Sequence, residues 1–169
     1  EVSWARLERD VAALAQWLRE QGVQPGDRVV AYLPNIPQAV VAFLAVASIG
    51  AVWSLCSPEM GVAAVVDRFR QIEPKVMIAV DGYRWSGKAH DRRDVVTAML
   101  GELPSVERLV LVPYLDLAAD AAAWYAAKPG RALLVHQKTL ETCFEGMQAQ
   151  ELGRANRQHW FLVTGGNAD

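Results

Sequence analysis

The sequence predicts an α/β fold in which short parallel strands alternate with helices on both faces of the sheet, as βαβ units. Three observations carry this: short apolar runs that read as buried strands, helical apolar spacing between them, and Gly- or Pro-bearing turn signals at the joints. The chain has 169 residues, 52% hydrophobic and 21% charged, which is enough for one domain with a real core and unlike a disordered composition.

Ser3 has the chemistry of a helix N-cap, and Trp4, Leu7, Val11, Leu14 and Leu18 follow at alternating steps of three and four. That spacing predicts one apolar helix face, with Gly22 as its stop and Pro25-Gly26-Asp27 as a turn. Residues 28–33 read as a short buried strand broken by Pro34 and Pro37. Residues 38–49 are apolar nearly all round, as in a helix packed on both sides, and Gly50 ends it. The alternation then repeats with a strand over 51–55, a helix over 61–71 whose inner face carries Val62, Val65, Val66 and Phe69, and a strand over 76–80. A polar loop over 81–90, a helix over 92–103 and a strand over 108–112 follow. Beyond Pro113 the pattern weakens: a helix over 116–127, a turn at 128–130, a strand over 132–136, a helix over 140–150 and a last apolar run over 160–163. Trp4, Trp17 and Trp53 fall at core-like spacing and are expected to pack inside.

The formal net charge of −2 gives no general reason to expect nucleic acid or an anionic membrane as partner. The longest apolar stretch, 39–47, falls short of the roughly 20 residues of a membrane-spanning helix, and the first residues have no signal-peptide character. A soluble cytoplasmic protein is therefore expected. Cys56 and Cys143 lie far apart in no metal-type spacing, which fits a reducing compartment. His90, His136 and His159 are scattered, so no metal site is expected, and Ser54 and Ser57 lack a nucleophile-elbow context. The chain starts at Glu1 without an initiator methionine, on the threshold of a helix, and reads as a piece of something longer.

Gly82-Tyr83-Arg84-Trp85-Ser86-Gly87-Lys88-Ala89 has the spacing of a phosphate-binding P-loop between a predicted strand and a predicted helix. Ala89 stands where that motif needs a magnesium-binding hydroxyl, and Tyr83, Arg84 and Trp85 are bulky for a loop that wraps phosphate, which disfavours a true P-loop. Residue chemistry leaves two readings. One is a solvated surface loop, favoured by spacing and composition. The other is a cationic anion site, with Arg84 for bidentate contacts and Lys88 as a point charge.

A run of 33 residues then carries a resemblance: residues 22–54 hold Gly-Val-x-x-Gly-Asp-Arg-Val, Pro34-Asn35-x-Pro37-x-Ala39 and Ile49-Gly50-Ala51-Val52. This resembles the early region of the adenylate-forming acyl-CoA synthetases. Residues 56–61, 66–75, 80–88 and 103–114 are similar to the acetoacetyl-CoA synthetase branch in particular, with the match close to about Leu115 and faint over 116–169. The resemblance implies a partial large domain, expected as a single α/β domain over 1–169. It also implies an enzyme that joins a short carboxylate to AMP using ATP and Mg2+, then passes it to CoA. For this chain it implies a CoA contact at Arg84, Gly87 and Lys88, and no catalytic residue. The family's lysine-bearing ATP loop should follow Thr164-Gly165-Gly166, where the sequence reads Asn167-Ala168-Asp169, so the chain alone is expected to be inactive. The alternative is a non-catalytic α/β module acting through protein contacts. Under either reading, exposed sheet edges predict self-association.

Overall fold

In a computed structural model, residues 2–115 are described in full, together with the backbone of strands at 132–136, 149–155 and 158–164. Helix α1 (Trp4–Glu20) begins where the Ser3 side chain accepts a hydrogen bond from the Arg6 amide. Strand β1 (Arg28–Tyr32), helix α2 (Pro37–Ile49), strand β2 (Val52–Cys56), helix α3 (Val62–Arg70) and strand β3 (Val76–Val80) follow. A hairpin of β4 (Gly82–Trp85) and β5 (Lys88–Asp91) precedes helix α4 (Arg93–Glu102) and strand β6 (Arg108–Val112). Strands β7 (Ala132–His136), β8 (Ala149–Ala155) and β9 (Gln158–Thr164) complete the described elements.

The main sheet runs β2-β1-β3-β6-β7-β9-β8. It is parallel from β2 to β7, as the strand–helix alternation predicts, whereas β9 pairs antiparallel with both β7 and β8. The helix expected over 140–150 is corrected at its end, because residues 149 and 150 already belong to β8 and pair with Val163 and Leu162. An apolar run tells strand from helix poorly at this length. The predicted helix at 116–127 and turn at 128–130 lie outside the described residues.

Side-chain alternation divides the core in two. Val29, Ala31 and Leu33 of the β1 segment join Val76, Ile78 and Val80 of β3 in facing α1 and α2. Val30, Tyr32, Met77, Ala79, Leu109 and Leu111 point the other way, into α3 and α4 through Val65, Val66, Phe69, Val96, Met99 and Leu103. All five residues of β3 are buried, which is the reason an unbroken apolar run forms a central strand. Each fully buried aliphatic side chain contributes about 1.5–3 kcal/mol of transfer free energy, so the two layers dominate the stability of this region.

Two packing expectations are corrected. Trp17 is buried and Trp53 partly so, but Trp4, in the first turn of α1, is 83% exposed among the described residues. Helix α2 buries Ala42, Ala45, Val46 and Ile49 on one side, yet Val40, Phe43 and Leu44 on the other remain exposed among the described residues. An apolar circumference therefore does not mean contact on both sides here.

The amino-terminal edge of the parallel strands is tied by internal polar contacts. Arg28 donates to the carbonyls of Ile72 and Glu73 at 2.7 and 2.8 Å, and Lys75 donates to the Gly22 carbonyl at 2.8 Å and pairs with Asp27. These charges hold the fold. The opposite edge carries different chemistry.

Candidate functional site

Strands β1, β2, β3 and β6 end together, with Tyr32 beside Cys56 and Ala79, and Val80 beside Val112. Strand order reverses between β1 and β3, since the chain runs outward to β2 and then crosses back over β1. In open α/β sheets the crevice outside the carboxyl ends at such a reversal is the usual place for a ligand. The residues over 81–92 rise from that edge.

The segment expected as a flexible loop is a two-stranded ribbon. Ser86 and Gly87 have φ of 47° and 75°, the double left-handed geometry of a two-residue type I′ turn. The ladder pairs Gly82 with Asp91, Tyr83 with His90, Arg84 with Ala89 and Trp85 with Lys88. This corrects the P-loop spacing in physical terms: amides committed to a hairpin ladder are not arranged to wrap a phosphate, and β5 stands between the glycines and α4. The place of Gly82 is fixed by close approach, as a Cβ there would lie 2.4 Å from both the His90 carbonyl oxygen and the Leu115 side chain.

Arg84 and Lys88 are both exposed, and the structure brings them to the two sides of the turn without placing them side by side. Alternation puts Arg84 on one face of the ribbon and Lys88 on the other. Gly87 is the second turn residue, and a Cβ there would meet nothing within 4 Å, so its requirement is conformational.

The base of the ribbon is held by a cluster that sequence reasoning missed. The Tyr83 ring, 8% exposed, stacks on His90 at 4.9 Å and 16°. Arg92 lies 5.1 Å above the same ring, donates from Nη2 to the Tyr83 hydroxyl at 3.1 Å, and donates from Nε to the Pro58 carbonyl at 2.9 Å. Tyr32, at the end of β1, donates its one phenolic proton toward the carbonyls of Pro58 at 2.7 Å and Met60 at 2.9 Å. Burial pushes the Tyr32 phenol up to about 12, against the lowering influence of Arg92. Pro58 thus links β1, the β2–α3 loop, α4 and the hairpin. Asp81, 2% exposed, accepts from the Tyr114 and Leu115 amides through Oδ1 at 2.8 and 2.9 Å, which ties the segment after β6 to the same edge. Burial also raises the Cys56 thiol above its ordinary range, which makes it inert packing rather than a nucleophile. Among the described residues no group of three His, Cys, Asp or Glu is disposed to hold a metal ion, and no helix is long and apolar enough to cross a membrane.

The sequence pattern of the AMP-binding enzymes matches residues 1–147. The chain belongs to the AMP-binding enzyme family. It is 45% identical over 114 residues to the acetoacetyl-CoA synthetase of Xenopus tropicalis, covering 68% of this chain and 17% of that protein. It is 45% identical over 122 residues to the acetoacetyl-coenzyme A synthetase of Rhizobium meliloti, covering 72% of this chain and 18% of the relative. The solved acetoacetyl-CoA synthetase from Streptomyces lividans superposes with a TM-score of 0.71 at 42% identity, over 96% of this chain and 22% of that one. The chain thus spans about a fifth or less of the length of these relatives. The α/β fold and the similarity to acetoacetyl-CoA synthetases agree with the resemblance carried by residues 22–54 and 56–114.

Proposed function

We propose that this chain is part of an ATP-dependent acyl-CoA ligase that activates acetoacetate, or a similar short carboxylate, as the acyl adenylate and transfers it to CoA. The kinship to acetoacetyl-CoA synthetases supports the reaction class, and the cytoplasm is where such small-molecule chemistry is expected. ATP, Mg2+ and CoA serve the whole enzyme, magnesium and dense positive charge stabilising the developing phosphate charge of adenylation. The chain spans 17% of the length of one such relative, and we expect it to be inactive alone, with no catalytic residue of its own.

Its contribution is a CoA contact. The observation that carries this reading is the hairpin rising beside the β1/β3 crevice with Arg84 and Lys88 exposed around the Ser86-Gly87 turn. Among the described residues, neither cation is drawn into an internal contact of the kind that occupies Arg28 and Lys75. A guanidinium and an ammonium flanking a compact turn fit a phosphate at the ribbon tip, where Gly87 leaves open space. The phosphorylated ribose end of CoA is such a group, and binding it needs no magnesium-holding hydroxyl at Ala89.

Calorimetric titration of the purified chain tests this. CoA should bind more tightly than dephospho-CoA, and Arg84→Ala/Lys88→Ala should remove the difference. A folded chain that gives no heat with either ligand, or binds both equally, refutes the CoA contact.

A second reading is favoured by a separate observation. Val40, Phe43 and Leu44 of α2 are exposed, as is Leu55 of the edge strand β2, which alternation puts on the α2 side of the sheet, as expected of a non-catalytic module acting through protein contacts or self-association.

A further inference from the structure

The hairpin is exposed from Arg84 to Ala89, and a ribbon of two four-residue strands is too small to hold an orientation by itself. Its stem is pinched, since the Arg92 amide donates to the Asp81 carbonyl at 2.8 Å. Backbone contacts at the stem fix where the ribbon starts but leave its tilt free, in the manner of a hinge. The tilt is set by side chains. Arg92 spans the gap with one edge of its guanidinium: Nη2 donates to the Tyr83 hydroxyl in the hairpin, and Nε donates to the Pro58 carbonyl in the β2–α3 loop. Tyr83 passes that restraint to the second strand by stacking on His90, its partner across the ladder. At the other end Tyr32 donates to the same Pro58 carbonyl, so both acceptor positions of that oxygen are filled and the loop is held from two sides.

We propose that Arg92 is a positioning residue that locks the hairpin to the β2–α3 loop, so that the two structures beside the crevice open and close as one body. Local stability is organised in contiguous cooperative units, and here the unit is joined by a guanidinium fork rather than by an apolar core. A lysine at this position keeps the charge and loses the fork, because a single ammonium nitrogen does not reproduce the planar donor pair that meets both acceptors. The same lock aims Arg84 and Lys88, which among the described residues have no internal contact that would aim them. The aiming role rests on the CoA reading above; the lock does not.

Amide hydrogen exchange on the wild-type chain, Tyr83→Phe and Arg92→Lys tests the lock without a ligand. Tyr83→Phe keeps the ring and removes only the hydroxyl that accepts from Arg92. The reporter in the loop is the Met60 amide, which donates to the Ser57 carbonyl at 3.0 Å. Each variant should speed exchange at Met60 and in the β4–β5 ladder together, by about ten-fold or more for the loss of a hydrogen bond to a charged group. Rates are read relative to the amides of the central strand β3, so that a general loss of stability cancels. Tyr83→Phe that loosens the ladder and leaves Met60 unchanged, or Arg92→Lys that exchanges as the wild type does, overturns the lock. Calorimetry reads the aiming role: Arg92→Lys should lower the preference for CoA over dephospho-CoA with Arg84 and Lys88 still in place. A preference that Arg92→Lys retains in full overturns that role and leaves the CoA contact standing. A wild-type chain with no such preference removes the CoA contact and the aiming role together, while the lock stands or falls on exchange alone.

Discussion

Tyr32 closes β1 with a hydroxyl aimed at two carbonyls of the β2–α3 loop, and burial holds its phenol neutral up to about 12. The folded chain therefore keeps this proton at a pH where the unfolded chain, with an ordinary value of 10.0, has lost it. The stability this contributes is whole below pH 10.0 and declines as the pH climbs toward about 12. Tyr32→Phe removes the proton and leaves the Pro58 and Met60 carbonyls without that donor. It should cost about 1–2 kcal/mol at neutral pH and make the alkaline decline shallower. Urea unfolding of both proteins at neutral and alkaline pH measures the two effects together. Parallel alkaline profiles would rule out Tyr32 as the group that titrates. Asp27 behaves in the opposite sense. The Gln24 amide, then Lys75, hold its carboxyl below 3.8, so its contribution is present above that value and fades as pH falls through the lowered one.

The hairpin is the element that sequence reading misplaced, and the reason is physical. Strands β1, β3 and β6 announce themselves because both of their faces are buried and must be apolar. Strands β4 and β5 stand at the rim, with polar residues on both faces, so no alternation of hydrophobicity marks them. The one local signal was Ser86-Gly87, a turn dipeptide that the P-loop spacing obscured. Charge alone marked Arg84 and Lys88, and the resemblance added Gly87 and the CoA contact, but which face of the ribbon Arg84 and Lys88 occupy follows only from ladder register. The Tyr32–Pro58–Arg92 link was not legible at all, since its partners lie 26 and 34 residues apart and nothing local encodes them. Turn chemistry now gives a prediction for this element. Ser86 occupies the left-handed region at some strain and Gly87 does so freely, so Ser86→Gly should stabilise the hairpin by up to about 1 kcal/mol and Gly87→Ala should weaken it by about as much. Amide hydrogen exchange over β4 and β5 reads this directly: faster exchange in Ser86→Gly than in Gly87→Ala would contradict the type I′ assignment.

At the scale of the whole molecule the two ends of the parallel region differ. Toward β6 the sheet continues into β7, β9 and β8, but at β2 the described sheet ends in a bare strand. Natural edge strands are blunted by charge, proline or a bulge, and Val52–Cys56 contains none of these, only Val-Trp-Ser-Leu-Cys in regular register with β1. Helix α2 extends the same apolar surface, with Phe43 tilted against Trp53 at 6.5 Å and Val40 and Phe43 each about half exposed. A second copy is well suited to cover it, because two identical edges related by a two-fold axis pair antiparallel and bring the α2 faces together in an isologous contact. Sedimentation over a concentration series should therefore show association of the purified chain. Val52→Lys places a charge on the edge, where it is 47% exposed and disturbs no core contact, so it should shift the chain toward monomer with its unfolding midpoint preserved. A wild-type chain that stays monomeric across the series would remove self-association as a property of this surface and leave the module reading without its main support. Association that persists in Val52→Lys would place the contact elsewhere, with the groove between α1 and α2, lined by Trp4, Leu7, Val11 and Leu44, as the next surface to charge. Because the hairpin lies at the carboxyl edge and this surface flanks β2, CoA binding and association should be separable: Val52→Lys should bind CoA as the wild type does, and Arg84→Ala/Lys88→Ala should associate as the wild type does.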